Sequence, residues 1–206
     1  MKRFLVPCLF VAAFALAALS CGPREAYLAP PAGSYSNVVL VTESGAIEGP
    51  AEAMARALQH ELDFYTKTES QFNVKIVPAS KLEDEIPAKN MVLFGLVNQG
   101  RIGGYIRQFI GDEAARSVLA GRASVFKKMD YPVKGQLTLI VTGASNDDLV
   151  RTATAEAEII RGIIEEENRE RLREFLLRKE NVNLGDMLRA KYGFTIRVPA
   201  EYALNQ

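Results

Sequence analysis

Apolar and polar residues along this chain follow three different patterns, and each pattern predicts a different kind of segment. Residues 4–19 are almost entirely Phe, Leu, Val and Ala, behind the basic pair Lys2 and Arg3. A membrane span needs about 20 apolar residues, and this block is shorter, interrupted by Pro7 and followed by no charged stop-transfer flank. The block therefore predicts an export signal over residues 1–20 rather than an anchor helix. Residues 22–36, GPREAYLAPPAGSYS, show no apolar period and carry Pro23, Pro30, Pro31 and Gly33. They predict a flexible tether that, extended at about 3.1 Å per residue, reaches roughly 45 Å.

From residue 37 the periods become those of a folded domain. NVVLVTE (37–43) is a β-branched run suited to a buried strand, and FNVKIVPAS (72–80) places Phe72, Val74 and Ile76 inward as a second. NMVLFGLVN (90–98) is continuously apolar and predicts a central strand. SVFKKMDYP (124–132) and GQLTLIVTGA (135–144) predict a hairpin, and FTIRVP (194–199) predicts a closing strand. Helical spacing joins Met54, Leu58, Leu62 and Tyr65 over residues 50–67, with Pro50 at its first position. A further helix is predicted over 104–120, around Ile106, Phe109 and Ile110. SNDD (145–148) supplies a cap for one long amphipathic helix over residues 146–179. A short helix over 184–192 ends at Gly193. Together these predict one α+β domain, residues 37–206, in which helices cover a mixed sheet.

Charge narrows the function. The 206 residues balance 25 Lys and Arg against 25 Asp and Glu, and loss of Lys2 and Arg3 with the leader leaves 23 against 25. A mixed surface near neutrality argues against nucleic acid as a partner. The two cysteines sharpen the reading of the leader. Ala18-Leu19-Ser20-Cys21 resembles a bacterial lipobox, whose cysteine is acylated and becomes the first residue of the mature chain. An ordinary signal-peptidase cut after Ala15-Leu16-Ala17 is the competing expectation. Cys8 lies in the removed segment, so Cys21 is left as the lone thiol, and acylation accounts for it. Several acyl chains on one residue anchor durably where one chain binds marginally.

Few residues suggest chemistry. The loop NQGRIGGYIR (98–107) follows a strand and precedes a helix, so Gly100, Arg101, Gly103 and Gly104 form a candidate anion-binding site. The loop lacks the ending of a P-loop and the spacing of a dinucleotide fingerprint, so a tight strand-to-helix turn is the competing expectation. Glu43 and Glu48 flank another strand end and read as a solvated loop. His60 is the only histidine and points away from its helix's apolar stripe, which leaves no partner for a Ser-His-Asp triad or a zinc site. A hydrolase would need several of Glu43, Glu48, Asp63 and Asp130 to converge. In EEENRERLREF (165–175), Glu165–Arg169, Glu167–Arg171 and, just beyond, Glu174–Arg178 stand at i,i+4 and predict a solvated helix face.

The chain resembles domain-of-unknown-function family 4837, a group of bacterial envelope lipoproteins, over roughly residues 36–206. The resemblance is carried by SNVVLVTESGAIEGPAEAMARAL, by AKNMVLFGLV, by GQLTLIVTGASNDDLVRTATAEAEIIRGIIEEENRERL and by KYGFTIRVPAEYALNQ. Ala46-Ile47 stands where the family carries a Trp, and family members continue beyond RVPAEY. The resemblance leaves the chain a truncated member, a fragment or a shorter variant, and it brings no assigned activity. The expectation is a non-enzymatic binding, assembly or structural module without catalytic residues, cofactor or metal. It is held in a Gram-negative-type envelope by lipid on Cys21, faces the periplasm or the cell exterior, and meets the membrane and an envelope protein partner. A small anionic ligand at Gly100–Gly104 is the alternative, and a hydrolase comes third.

Overall fold

A computed structural model of the chain describes residues 31–43, 48–122 and 124–203. The leader, Cys21 and most of the tether lie outside these residues, as does Ala46-Ile47.

The domain is α+β, built on a five-stranded mixed sheet. In chain order the sheet strands are β1 (Asn37–Thr42), β4 (Asn73–Pro78), β5 (Asn90–Leu96), β6 (Val125–Met129) and β7 (Leu137–Gly143). Their spatial order is β4-β1-β5-β7-β6. The first four of that order run parallel, and β6 returns antiparallel to β7. Every residue of β5 and β7 is buried, which explains their continuous apolar character: both faces of a central parallel strand are covered. The expected hairpin of residues 124–144 forms, with Val125 opposite Val141 and Met129 opposite Leu137.

Two core layers clothe the sheet. On one face Val38, Leu40, Phe94 and Leu139 pack with α1 (Glu48–Gln59), α4 (Asn146–Ala155) and α5 (Ala157–Leu176), through Met54, Leu58, Leu149, Ile160 and Ile164. On the other face Val41, Leu93 and Ile140 pack against Ile102 and Ile106 of α3 (Gly100–Leu119), with Leu82 of the short α2 (Leu82–Glu85). No helix among the described residues is long and apolar enough to cross a membrane.

Five sequence expectations change. The tether predicted over residues 22–36 is not free at its end, because Ala32 forms a bridge with Ala88 and the Tyr35 carbonyl accepts from the side chains of Asn90 and Asn168. The helix over 50–67 stops at Gln59, and a separate antiparallel hairpin follows, β2 (Glu61–Phe64) with β3 (Lys67–Ser70). Leu62, at helical spacing from Leu58, belongs to β2, and Tyr65 is fully exposed in the turn. In β4, Ile76 is 41% exposed because β4 is an outer strand, while Val77 is buried on the opposite face.

The long helix over 146–179 is two helices. Its cap is the expected one: Ser145 and Asp148 form a reciprocal capping box. The helical path breaks at Glu156 (φ −102°, ψ 1°), just after the Thr154 hydroxyl donates back to the carbonyls of Val150 and Arg151, both at 3.0 Å. Such back-bonding bends helices. The second helix ends at Leu176.

Last, FTIRVP is no strand. A single bridge joins Glu180 to Pro199, and Asn181 N–H donates to Val198 O at 2.8 Å. Between them α6 (Val182–Tyr192) runs from an Asn181 cap to left-handed Gly193 (φ 77°), close to the expected 184–192.

Candidate functional site

In parallel sheets, ligands sit beyond the carboxyl ends of strands where the strand order reverses. Here β1 has β4 on one side and β5 on the other, so the reversal lies between β1 and β5. The Gly100 loop leaves β5 at this point, and Glu43 leaves β1 beside it. Helix α3 has neither a capping side chain of its own nor an acid in its first turn. Glu43 fills both gaps: its Oε2 accepts the N–H of Ile102 at 3.0 Å, placing a negative charge at the positive end of the helix. The place where an anion would bind is thus filled by the chain's own carboxylate.

Gly100, Arg101, Gly103 and Gly104, predicted as a loop, form the first turns of α3, and the glycines have unequal roles. At Gly100 (φ +65°) a Cβ would fall 2.2 Å from Glu43 Oε2, and at Gly103 it would fall 2.7 Å from the Leu96 carbonyl. At Gly104 it would meet nothing within 4 Å. Gly100 and Gly103 therefore allow close backbone packing, and the Arg101 side chain stands exposed beside them.

The other candidate residues do not converge with this point. Asp63 Oδ1 accepts from the Thr68 hydroxyl at 2.9 Å, across the β2–β3 hairpin. Asp130 (φ 57°) accepts the Gly135 N–H at 2.6 Å and closes the β6–β7 turn, at the opposite end of the sheet from Glu43. His60 is exposed, and its backbone carbonyl receives the Gln71 N–H. The Glu48 side chain lies outside the described residues. Among the described residues no group of three or more His, Cys, Asp or Glu is arranged to hold a metal.

The sequence reading missed Arg171. Arg169 does pair with Glu165, at 3.2 Å, and also with Glu166. Glu167, however, pairs across to Lys127 of β6 at 2.9 Å, and Arg178 lies over the Phe175 ring at 5.7 Å. Arg171 turns inward to the amino ends of the central strands. It donates to the carbonyls of Lys89 and Gly135, both at 2.9 Å, and to the side-chain oxygens of Asn168 and Asn90. Asn90, fully buried, donates in turn to the carbonyls of Tyr35 at 2.8 Å and Asn37 at 3.1 Å. Burial lowers the Arg171 pKa below the ordinary arginine value, opposed by the charge of Glu167. The signal in the sequence was Asn90, a lone amide heading an otherwise apolar strand.

The C-terminal end of the domain is apolar and uncovered. No residue of α6 is buried. Phe175 at the end of α5, Val182 on α6 and Tyr202 are 59%, 61% and 59% exposed, and Met187, Tyr192, Phe194 and Ile196 are exposed with them. The Tyr192 and Phe194 rings stack with centroids 6.1 Å apart. α6 carries Asn183, Asp186, Arg189 and Lys191 between its apolar residues, and large apolar side chains left exposed together, as Tyr192 and Phe194 are, mark interaction surfaces.

Compared with protein-family models, curated proteins and solved structures, the chain matches none.

Proposed function

We propose that this chain is a bacterial cell-envelope lipoprotein, tethered through acylated Cys21, that works as a non-enzymatic binding or assembly module. The proposal places it with domain-of-unknown-function family 4837. The observation that carries the binding role is the unburied α6 with its exposed apolar neighbours Phe175, Phe194, Ile196 and Tyr202. A monomer gains nothing by leaving these side chains in water, whereas a partner that covers them gains roughly 25 cal/mol for each Å² of apolar surface removed from water. The basic-apolar leader, the lipobox-like Ala18–Cys21 and the proline-spaced tether support the anchor.

The geometry supports the alternatives less well. A small anion at Gly100–Gly104 would have to displace Glu43 from the start of α3. A hydrolase would need its carboxylates together, and Glu43, Asp63 and Asp130 are each engaged locally at separate places.

Two measurements on the full-length product in cells test the reading. Labelling with an alkyne-tagged palmitate is expected to mark the wild type and not Cys21→Ser; equal labelling contradicts the anchor. A photo-crosslinking residue at Val182 is expected to give one discrete heavier species, and recovery of free chain alone contradicts the binding role.

A further inference from the structure

The chain enters the domain through a strap, residues 31–36, laid across the amino ends of the parallel strands. The Ala32 N–H donates to the Pro87 carbonyl at 2.5 Å, ahead of β5, and the Ser36 carbonyl accepts the N–H of Asn73 at the head of β4. The Tyr35 carbonyl accepts from the side chains of Asn90 and Asn168, both at 2.8 Å. The Lys89 ammonium stands 4.0 Å from the centre of the Tyr35 ring. Where the strap begins, Pro31 closes on the β6–β7 turn, and a Cβ added at Gly135 would stand 3.4 Å from its ring. These contacts fix the point at which the tether leaves the fold.

That point lies beside the uncovered C-terminal surface. The carbonyl of Gly135, the residue against Pro31, accepts from Arg171 of α5 at 2.9 Å. Phe175 stands about one turn further along the same helix, roughly 6 Å along its axis. α5 packs on the sheet through Ile160 and Ile164 and passes the strand heads at Asn168 and Arg171. It then carries Phe175 past them, and α6 follows from its end. Residues 22–30 are the chain between Cys21 and Pro31, and at about 3.1 Å per residue they span roughly 28 Å.

We propose that the α6 surface docks onto a protein embedded in the membrane that holds the lipid, at a site within about 30 Å of that membrane. The inference rests on the lipid anchor and binding role given above, and adds where the partner stands and what it presents. Two features favour a protein over the lipid itself. Val182, Met187 and Tyr192 follow one another in five-residue steps, about 140° apart round α6, so a flat bilayer covers only part of them. Asp186, Arg189 and Lys191 stand among them, and a groove with fixed charges of both signs pairs these groups where hydrocarbon does not. A short tether also raises the effective concentration of a partner in that membrane over a soluble one.

Photo-crosslinking in cells tests the proposal, with the photo-reactive residue at Val182 or, for comparison, at exposed Asp147 near the carboxyl end of β7. Each is made with the native leader, and again as Cys21→Ser behind a leader cut by ordinary signal peptidase, so that residues 31–206 are the same in both. With the native leader, Val182 is expected to give one heavier species whose partner, identified by mass spectrometry, has a membrane-spanning segment. Release from the lipid is expected to cut its yield about tenfold or more, and Asp147 is expected to give none. Labelling with alkyne-tagged palmitate separates the two readings. An unlabelled native form overturns the anchor, and this inference with it. No heavier species from Val182 overturns the binding role and this inference together. A labelled native form whose yield survives release overturns this inference alone. So does a partner that proves to be a soluble protein, a second copy or a phospholipid, or an equal yield from Asp147.

Discussion

The guanidinium of Arg171 on α5 and the side chain of Asn90 at the head of β5 are bonded across 81 positions of sequence. The same guanidinium holds the Lys89 and Gly135 carbonyls, so one residue ties a helix to the starts of both central strands. Arg171→Met should strip the Arg171 donor from Gly135 O and Asn90 Oδ1, while Lys89 O keeps the Leu137 N–H, and should destabilise the domain by roughly 1–3 kcal/mol in urea denaturation. Arg171→Lys should recover only part of the loss, because a point donor cannot replace a planar fork. A loss within about 0.5 kcal/mol for Arg171→Met, the range of ordinary surface changes, would contradict the clamp.

Glycine substitutions separate packing from flexibility at the start of α3. Gly100→Ala puts a Cβ on the Glu43 carboxylate at a positive φ and should destabilise the domain. Gly104→Ala meets open space inside the helix and should stabilise it by up to about 1 kcal/mol. Glu43→Ala, which uncaps the helix, should cost about 1 kcal/mol, while Glu43→Gln retains an acceptor and should cost less. Thermal melting of the four variants checks the order.

The α4 cap predicts a pH dependence. The hydrogen bond from the Ser145 hydroxyl, aided by Arg151, lowers the Asp148 pKa below its ordinary value. A carboxyl with a lowered folded pKa contributes stability that is fully present above its unfolded pKa. That contribution drains as pH falls through the lowered folded value. Asp148→Asn should therefore flatten the acid limb of the stability curve without adding any loss at neutral pH beyond the missing contribution. Ser145→Ala should cost about 1 kcal/mol at neutral pH. An acid limb identical in wild type and Asp148→Asn would contradict the cap.

The exposed apolar side chains should be dispensable for folding. Phe175→Ser and Phe194→Ser should each change stability by less than about 0.5 kcal/mol, since both side chains are about half exposed and neither belongs to the core, Phe194 touching the equally exposed Tyr192 ring. Both should abolish the heavier species crosslinked from Val182. Large destabilisation would make the patch part of the fold instead.

What could be read ahead of the structure follows from locality. The central strands are legible because Val38–Val41 and Met91–Leu96 are apolar on both faces and Leu137–Val141 is broken only by Thr138, a signal that needs no partner to interpret. The Ser145 cap and Gly193 stop were legible because their chemistry lies within a few residues. Leu62 misled because i,i+4 spacing from Leu58 also suits a chain that leaves the helix and pairs with itself. The break at Glu156 depends on one hydroxyl turning back on its own helix. The i,i+4 spacing pairs Arg171 with Glu167, yet each side chain finds a distant partner, Asn90 and Lys127. The Gly100–Gly104 segment does follow a strand, but it is the start of α3 rather than a loop, and nothing local in the sequence shows that Glu43, 59 positions before Ile102, occupies it.

The most direct test of the central claim is the intact mass of the mature protein purified from membranes. The account predicts a chain beginning at Cys21 and carrying acyl chains. An unacylated chain beginning at Ala18 would contradict it.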